Sequence, residues 1–314
     1  SAFDTVLGHS RGLQQVIQLA RKVAVTDVPV LLTGETGTGK EVFAQAIHNG
    51  SARAKQPFVA INCSAFSKEL LESEIFGHKA GAFTGALKDK KGLFEEANHG
   101  TIFLDEIGEM AYGLQAKLLR VLETGEYIKV GDTKPTKIDV RIVSATNRNL
   151  KEEIANSNFR EDLYFRLSVF HLHLPPLRER REDIPELAAA FLKFFAAKMG
   201  KQVKGFAADC QAWMQSYAWP GNVRELRNVI ERALIICDDY ITLDDMPLDF
   251  RSSTLSGSAA DGDDFELAEA EHRHIQRVLQ YTKGNKAEAA RLLKIGLTTL
   301  YRNCLLYTSD AADD

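Results

Sequence analysis

The feature that most narrows the folds open to this chain is the junction at residues 28–41. An apolar run, residues 28–33, stops at Gly34-Glu35-Thr36-Gly37-Thr38-Gly39-Lys40-Glu41, and a helical pattern continues over residues 41–48. A buried strand that turns through a glycine-rich loop straight into a helix is the opening of a parallel β-α unit. Further short apolar runs rich in β-branched residues, 58–62, 101–105 and 140–145, alternate with helical patterns. That alternation predicts an α/β fold with a parallel sheet covered by helices.

The same junction is built to hold phosphate. Its glycines let backbone N–H groups wrap an anion, Lys40 adds a point charge, and the helix N-terminus favours negative charge. An ordinary glycine-rich turn is the plain alternative, but strand, loop and helix are all in place. One departure stands out: Glu41 occupies the position where a Ser or Thr hydroxyl usually meets Mg²⁺. Downstream, Ile102-Phe103-Leu104-Asp105-Glu106 is an apolar strand ending in two acids. Asp105 could hold Mg²⁺ directly or through water, and Glu106 could polarise an attacking water. Alone this is often just the solvated end of a strand; beyond a phosphate loop it points to nucleotide hydrolysis. Thr146-Asn147 closes the next apolar run, where Asn could equally be a turn former. Arg160 and Arg166 flank Glu161 and Asp162. They fit a helix face laced with ion pairs, or an arginine finger reaching a neighbouring subunit's γ-phosphate. The residues alone leave both readings open.

From about residue 182 to 248 the strand signal disappears, and residues 186–199, 207–216 and 222–237 read as helices of a smaller lid. Residues 251–264 (RSSTLSGSAADGDD) read as a flexible linker, and 265–303 as a second helical unit. The net charge of −4 over 314 residues excludes a global basic field. Yet residues 271–303 hold seven Lys or Arg against two Glu, a local footprint for nucleic acid. The four cysteines are scattered without metal-ligand spacing, which fits reduced thiols in a cytosolic protein. No apolar run is long enough to span a membrane, so the expectation is a soluble chain without membrane contact.

These motifs together resemble the sigma-54-dependent activators, or bacterial enhancer-binding proteins, of the AAA+ class, over residues 3–303. GETGTGKE at Gly34 to Glu41 is similar to that family's own Walker A, glutamate included, and ANHGTIFLDE at residues 97–106 to its Walker B. The most specific element is Gly81-Ala82-Phe83-Thr84-Gly85-Ala86, which resembles the family's sigma-54-contacting GAFTGA loop. Physically, two glycines permit sharp turns and an aromatic at a loop tip seeks a partner. A core-packed turn is the alternative, but the flanks Glu72, Glu74, His78, Lys79, Lys88, Asp89 and Lys90 argue for exposure.

The resemblance implies further roles. Asn62 would restrain Glu106, Thr146 and Asn147 would form sensor I, Arg160 and Arg166 the arginine-finger segment, and Arg224 in WPGNVREL sensor II. Arg224 sits where a cation is disfavoured by the helix dipole unless an anion compensates it; Glu225 is the structural alternative to a phosphate. Residues 285–302 resemble a Fis-type helix-turn-helix, with Ala289, Leu292 and Leu293 facing inward and Lys286, Thr298, Thr299, Tyr301 and Arg302 toward DNA. The acidic tail 304–314 does not continue a basic recognition helix and reads as foreign sequence. The start at Ser1 points to processing or to a cut from a longer chain, and the regulatory domain that most members carry upstream has no counterpart here.

The expected organisation is an AAA+ α/β subdomain at 1–170, a helical lid at 171–250, a linker at 251–264, a small all-α helix-turn-helix domain at 265–303 and the tail. The implied function is ATP- and Mg²⁺-dependent remodelling of the sigma-54 RNA polymerase closed complex into the open complex, by a cytoplasmic ring, a hexamer, tethered to enhancer DNA. An unfoldase or helicase loader would share the nucleotide motifs but lack GAFTGA and the helix-turn-helix. A regulator that only senses nucleotide would not need Glu106.

Overall fold

A computed structural model describes residues 1–247 and 267–300, with side chains from 274 in the second stretch. The linker at 251–264, the tail, Cys304, Tyr301 and Arg302 therefore lie outside the described residues. The chain divides into two compact units, Ser1–Arg251 and Ser252–Asp314.

The first unit is organised by five parallel strands: β1 (Val30–Thr33), β2 (Phe58–Asn62), β3 (Thr101–Asp105), β4 (Arg141–Thr146) and β5 (Phe170–His173), in spatial order β2-β3-β4-β1-β5. The predicted parallel α/β sheet is thus present. Successive side chains of the central strands enter opposite cores. Leu31, Leu104 and Ile142 pack into one core with Ile61 and Ile102, whereas Val30, Leu32, Phe103, Val143 and Ala145 enter a second core on the opposite face. Both faces are dry because helices such as Arg11–Ala24, Lys40–Asn49 and Tyr112–Thr124 cover them.

Two differences from the sequence reading concern strands. The fifth, β5, is not expected from the apolar pattern and straddles the anticipated division at residue 170. Its sequence Phe-His-Leu-His buries only Leu172 fully, so it lacks the apolar density that marks a central strand. The lid is also not wholly helical: Gly205–Phe206 pairs in parallel with Tyr240–Ile241. The three expected lid helices are Ile184–Met199, Ala208–Ser216 and Asn222–Ile236, packed around Trp213, Trp219, Leu226 and Ile230.

Strand register sets the shape of the sheet's carboxyl edge. Asn62 lies opposite Asp105, and Thr33 lies opposite both Thr146 and His173. The carboxyl ends of the strands are therefore level, which is where open parallel sheets present ligand sites. Loops 79–89 and 129–134 project from short antiparallel ladders, Gly77–His78 with Lys90–Lys91 and Glu126–Ile128 with Pro135–Lys137.

The second unit holds helices Leu267–Tyr281 and Lys286–Leu293, with residues 297–300 helical again after a turn at Lys294, which adopts φ 55°. Asn285 caps the second helix by accepting from the Glu288 N–H. Ala289, Ala290, Ile275 and Leu300 form its core. Leu293 packs partly against that core as expected, but Leu292 is 47% exposed and Ala290 takes the inward position assigned to it.

Arg141 opens the central strand yet is only 2% exposed. Its guanidinium donates to the carbonyl oxygens of Ala24 and Val23, each at 2.8 Å, and so satisfies the C-terminal end of the first helix. Arg141→Met is expected to remove both bonds, leaving the Val23 carbonyl to its Thr26 donors, and to cost about 2–4 kcal/mol. The check is a lower urea midpoint at constant slope; an unchanged midpoint would contradict this role.

Candidate functional site

At the level strand ends, a cavity of about 350 Å³ is lined by Thr36, Gly37, Gly39, Lys40, Glu41, Asp105, Glu106, Asn147 and Arg224, together with Val42, Phe191, Val223 and Arg227. Four separate stretches of sequence that carried chemistry thus meet at one place. The phosphate loop reaches it from β1. Gly34, Gly37 and Gly39 adopt φ 154°, 83° and 96°, and the last caps the helix that starts at Lys40. Lys40 Nζ donates to the carbonyl oxygens of Gly34 at 2.8 Å and Glu35 at 2.9 Å. Burial pushes its pKa down, and the nearby Asp105 carboxylate opposes that shift. Thr38 is buried, with its hydroxyl donating to the Glu35 carbonyl at 2.8 Å.

Asp105 is half-buried, and desolvation raises its pKa. Its Oδ1 accepts the backbone N–H of Glu106 at 2.9 Å. Glu106 itself sits in the left-handed region at φ 51°, a conformation that non-glycine residues adopt at a cost and that gathers at functional sites. From the end of β4, Asn147 Nδ2 donates to Thr36 Oγ1 at 2.9 Å. Thr146, beside it, is buried and accepts from the Arg148 N–H at 3.0 Å, away from the cavity wall. Asn62 also stands off the cavity: its side-chain oxygen accepts from Ser64 N at 2.9 Å and Ser64 Oγ at 2.7 Å.

The lid closes the other side. Arg224 N donates to the Gly37 carbonyl at 3.2 Å, and a Cβ on Gly37 would lie 2.2 Å from the Gly221 carbonyl oxygen. Glu225, the alternative partner for Arg224, is taken by Gly221 N at 3.1 Å and the Tyr217 hydroxyl at 3.2 Å. Arg224 is left exposed on the cavity wall. Glu35 faces the lid too: the Arg178 guanidinium grips both its oxygens, at 2.8 and 2.5 Å, and holds its pKa at about 2.

The two arginines at 160 and 166 are not in this cavity. Arg160 lines a separate hollow with Tyr112, Glu161, Asp162 and Phe165, and it grips Asp162 with both bonds at 3.0 Å. Arg166 is exposed and forms no ion pair among the described residues. The ion-pair reading thus describes Arg160 in the single chain but not Arg166.

The loop at 81–86 is compact and surface-borne. Gly81 N donates to the Ala86 carbonyl at 2.8 Å and Ala86 N to the Phe83 carbonyl at 3.1 Å. Phe83 is 42% exposed with its edge against the His78 ring, and Leu87 is 89% exposed. Exposure is therefore as the polar flanks predicted, although Ala86 is buried. In the second unit Lys286, Thr298 and Thr299 are exposed. Cys63, Cys210 and Cys237 are buried free thiols; burial lifts the first two to about 12.

Phe191, Val223, Val42 and Arg227 line the cavity without standing out in the sequence. Phe191 and Val223 read as lid core on apolar pattern alone. Arg227 follows Arg224 by one helical turn, a spacing that puts both on one face and could have flagged it.

Comparison with known proteins agrees with this geometry. Residues 6–173 match the Sigma-54 interaction domain, residues 178–262 the AAA+ ATPase lid domain, and residues 266–302 the Fis family of bacterial regulatory proteins. The chain is 45% identical over 298 residues to the transcriptional regulatory protein ZraR of Klebsiella oxytoca, covering 94% of this chain and 67% of that protein. It is 41% identical over 322 residues to the DNA-binding transcriptional regulator NtrC of Escherichia coli, covering 95% and 69%. Against the alginate biosynthesis regulator AlgB of Pseudomonas aeruginosa the identity is 47% over 300 residues, with 95% and 66% covered. The chain thus spans about two thirds of the length of these relatives. A crystal structure of NtrX from Brucella abortus in complex with ATP superposes with a TM-score of 0.75 at 36% identity, covering 95% of this chain and 68% of that one.

The tightness of the lid contact yields a test. Gly37→Ala is expected to force the lid off the loop, exposing the connector at 174–178 to protease and weakening adenine-nucleotide binding by at least about tenfold. Wild-type protease resistance would contradict that contact.

Proposed function

The chain belongs to the sigma-54-dependent transcription activators, AAA+ ATPases with a Fis-type helix-turn-helix DNA-binding domain, and on that premise we infer that it remodels the sigma-54 RNA polymerase closed complex into the open complex by hydrolysing ATP. The observation that carries this reading is the physical separation of two features. Lys40, Asp105, Glu106, Asn147 and Arg224 surround one cavity, while the loop at 81–86 stands exposed elsewhere with an aromatic at its tip.

In the cavity, Gly34 to Gly39 and Lys40 hold the β- and γ-phosphates, and Lys40 exchanges its two loop carbonyls for phosphate oxygens. Asn147 and Arg224 contact the phosphates from the core and lid sides. Glu41 lines the wall where a hydroxyl would otherwise stand. The donor set suits Mg²⁺, which takes hard oxygen ligands: Asp105 offers a carboxylate whose buried charge is destabilised and would gain from a cation. Such an ion would neutralise phosphate charge. Glu106, the adjoining carboxylate, orients and polarises water for in-line attack. Asn62 would restrain Glu106 through its amide nitrogen, since Ser64 engages only its oxygen.

Arg160 and Arg166 act on a neighbouring subunit's nucleotide, since both face away from the cavity of their own chain. Arg166 is available as it stands; Arg160 first has to surrender Asp162. This requires a ring, for which six subunits are the reading. The second unit tethers the ring to enhancer DNA through Lys286, Thr298 and Thr299, with Tyr301 and Arg302, next in sequence, as further contacts. Action is cytoplasmic, where the polymerase and promoter are. The functional division is 1–170 extended to the end of β5, the lid to 250, the linker 251–264 and the DNA-binding unit 265–303.

Complementation checks the arginines. A mixture of Lys40→Ala and Arg166→Ala proteins is expected to regain part of the ATPase activity, because some interfaces receive one intact half from each. No recovery in demonstrated mixed rings would return both arginines to a structural role.

The loop decides between this function and an unfoldase. Thr84→Ala is expected to keep most ATP hydrolysis but to lose capture of sigma-54 in the presence of ATP and aluminium fluoride, and with it open-complex formation at a sigma-54 promoter. Movement does work only where the loop grips its partner differently in two states. Glu106→Gln is the converse control, binding ATP while hydrolysing it at least about a hundredfold more slowly. Wild-type open-complex yield from Thr84→Ala would sink the assignment.

A further inference from the structure

Glu35 belongs to the phosphate loop by its backbone and to the lid side by its carboxylate. Its carbonyl accepts from Lys40 Nζ at 2.9 Å, and its carboxylate leaves the loop to meet the lid side. There the Arg178 guanidinium binds it through two parallel bonds, the geometry in which arginine is most directional. The oxygen at 2.8 Å from Arg178 also accepts from Asn222 Nδ2 at 3.1 Å. Asn222, the first residue of the lid helix, is fully buried and holds φ 54°, a left-handed backbone that asparagine tolerates better than most residues. The same amide nitrogen donates to the Thr36 carbonyl at 3.1 Å, and its oxygen accepts from the Leu177 N–H at 2.8 Å. One asparagine thus joins the phosphate loop, the connector and the lid.

We propose that Glu35, Arg178 and Asn222 are positioning residues that fasten the phosphate loop to the lid, so that nucleotide held by the loop sets the position of the lid and brings Arg224 onto it. This rests on reading the cavity as the ATP site. The question is where restraint comes from as Lys40 changes partners. Without nucleotide, Lys40 braces the loop from inside through the Gly34 and Glu35 carbonyls. When its ammonium turns to a phosphate, those two bonds go. The loop is then held from outside, by Asn147 on the core side and by Arg178, Asn222 and the Arg224 N–H on the lid side. Strain at Lys40 is therefore delivered to the lid through Glu35. Stability alone is a poor explanation for the pair. Both side chains are about two-fifths exposed, 42% and 41%, and ion pairs at such positions contribute little to folding.

The exposure also makes the pair testable without loss of the fold. Steady-state ATP hydrolysis is measured on the full chain for Glu35→Gln, Arg178→Ala, the double variant and Arg178→Lys, with affinity for a fluorescent ATP analogue and melting temperature measured in parallel. Each single substitution is expected to lower kcat/KM by about tenfold or more, and the double to fall no further than the slower single, because both remove one strut. Arg178→Lys is expected to lie between, keeping the charge but losing the fork. Losses that multiply in the double variant overturn the proposal, as does a lowered melting temperature with unchanged kcat and KM. In either case Lys40→Ala should still abolish binding of the analogue. Undiminished binding by Lys40→Ala would overturn the ATP-site reading itself, and the proposal with it.

Discussion

The phosphate loop is clamped on both sides, and most of the first unit is arranged around that fact. On the inner side the Thr36 hydroxyl accepts from Asn147 at the end of the neighbouring strand. On the outer side the Gly37 carbonyl accepts from Arg224, with the Gly221 carbonyl so close that no side chain fits between. Such a contact requires glycine at 37, a helix that begins at 222, and strands whose carboxyl ends finish level. The sheet register supplies the last condition, pairing Thr33 with Thr146 and Asn62 with Asp105. Burial alternating to two cores fixes that register, because a one-residue slip would turn Phe103 and Val143 into the wrong layer.

Charge is unevenly placed over the first unit. The cavity wall carries three carboxylates, Glu41, Asp105 and Glu106, and three cations, Lys40, Arg224 and Arg227. Two of those cations belong to the lid and come with its position, not with the loop. Arg160 and Arg166 lie outside the lining of this cavity, the first tied to Asp162 and the second in solvent. An arginine held by a carboxylate through two bonds leaves it only for an anion that binds it at least as well.

Much of this is legible in the sequence, for identifiable reasons. β1, β3 and β4 are dense apolar runs ending in polar residues, so both the strands and their functional tips stand out. β5 escapes because its histidines dilute the pattern to one fully buried residue. The inward assignment of Leu292 fails because a helical wheel cannot tell which of two adjacent apolar positions meets a partner helix; the core takes Ala289 and Ala290, the smaller pair. Glu35 and Asn222 illustrate a different limit. Each sits inside a motif that already has an explanation, glycine-rich loop or helix start, and nothing in spacing announces that they meet across 187 positions of chain. Contacts between motifs are tertiary facts. Individual motifs are readable because their chemistry is local.

The same distinction applies to the loop at 81–86 and the path by which it is linked to the cavity. Its base does not stand on its own two strands alone. Lys79 N donates to the Val130 carbonyl at 2.9 Å, Val130 N donates to the Gly77 carbonyl at 3.1 Å, and Gly131 leaves just enough room for Ala82. Residues 126–137 form the hairpin that leads into the central strand β4, and β4 ends at Thr146 with Asn147 on the phosphate loop. A continuous route of hydrogen bonds and chain therefore runs from Lys79 through Val130 and β4 to Thr36, with Ala82 packed against Gly131 beside it. The stiff part of that route is β4, which lies in the middle of the sheet, buried along its whole length and anchored at its start by Arg141. The hairpin before it is held only by a three-residue ladder and carries Gly131 at φ 78°, so the softer part of the route lies there.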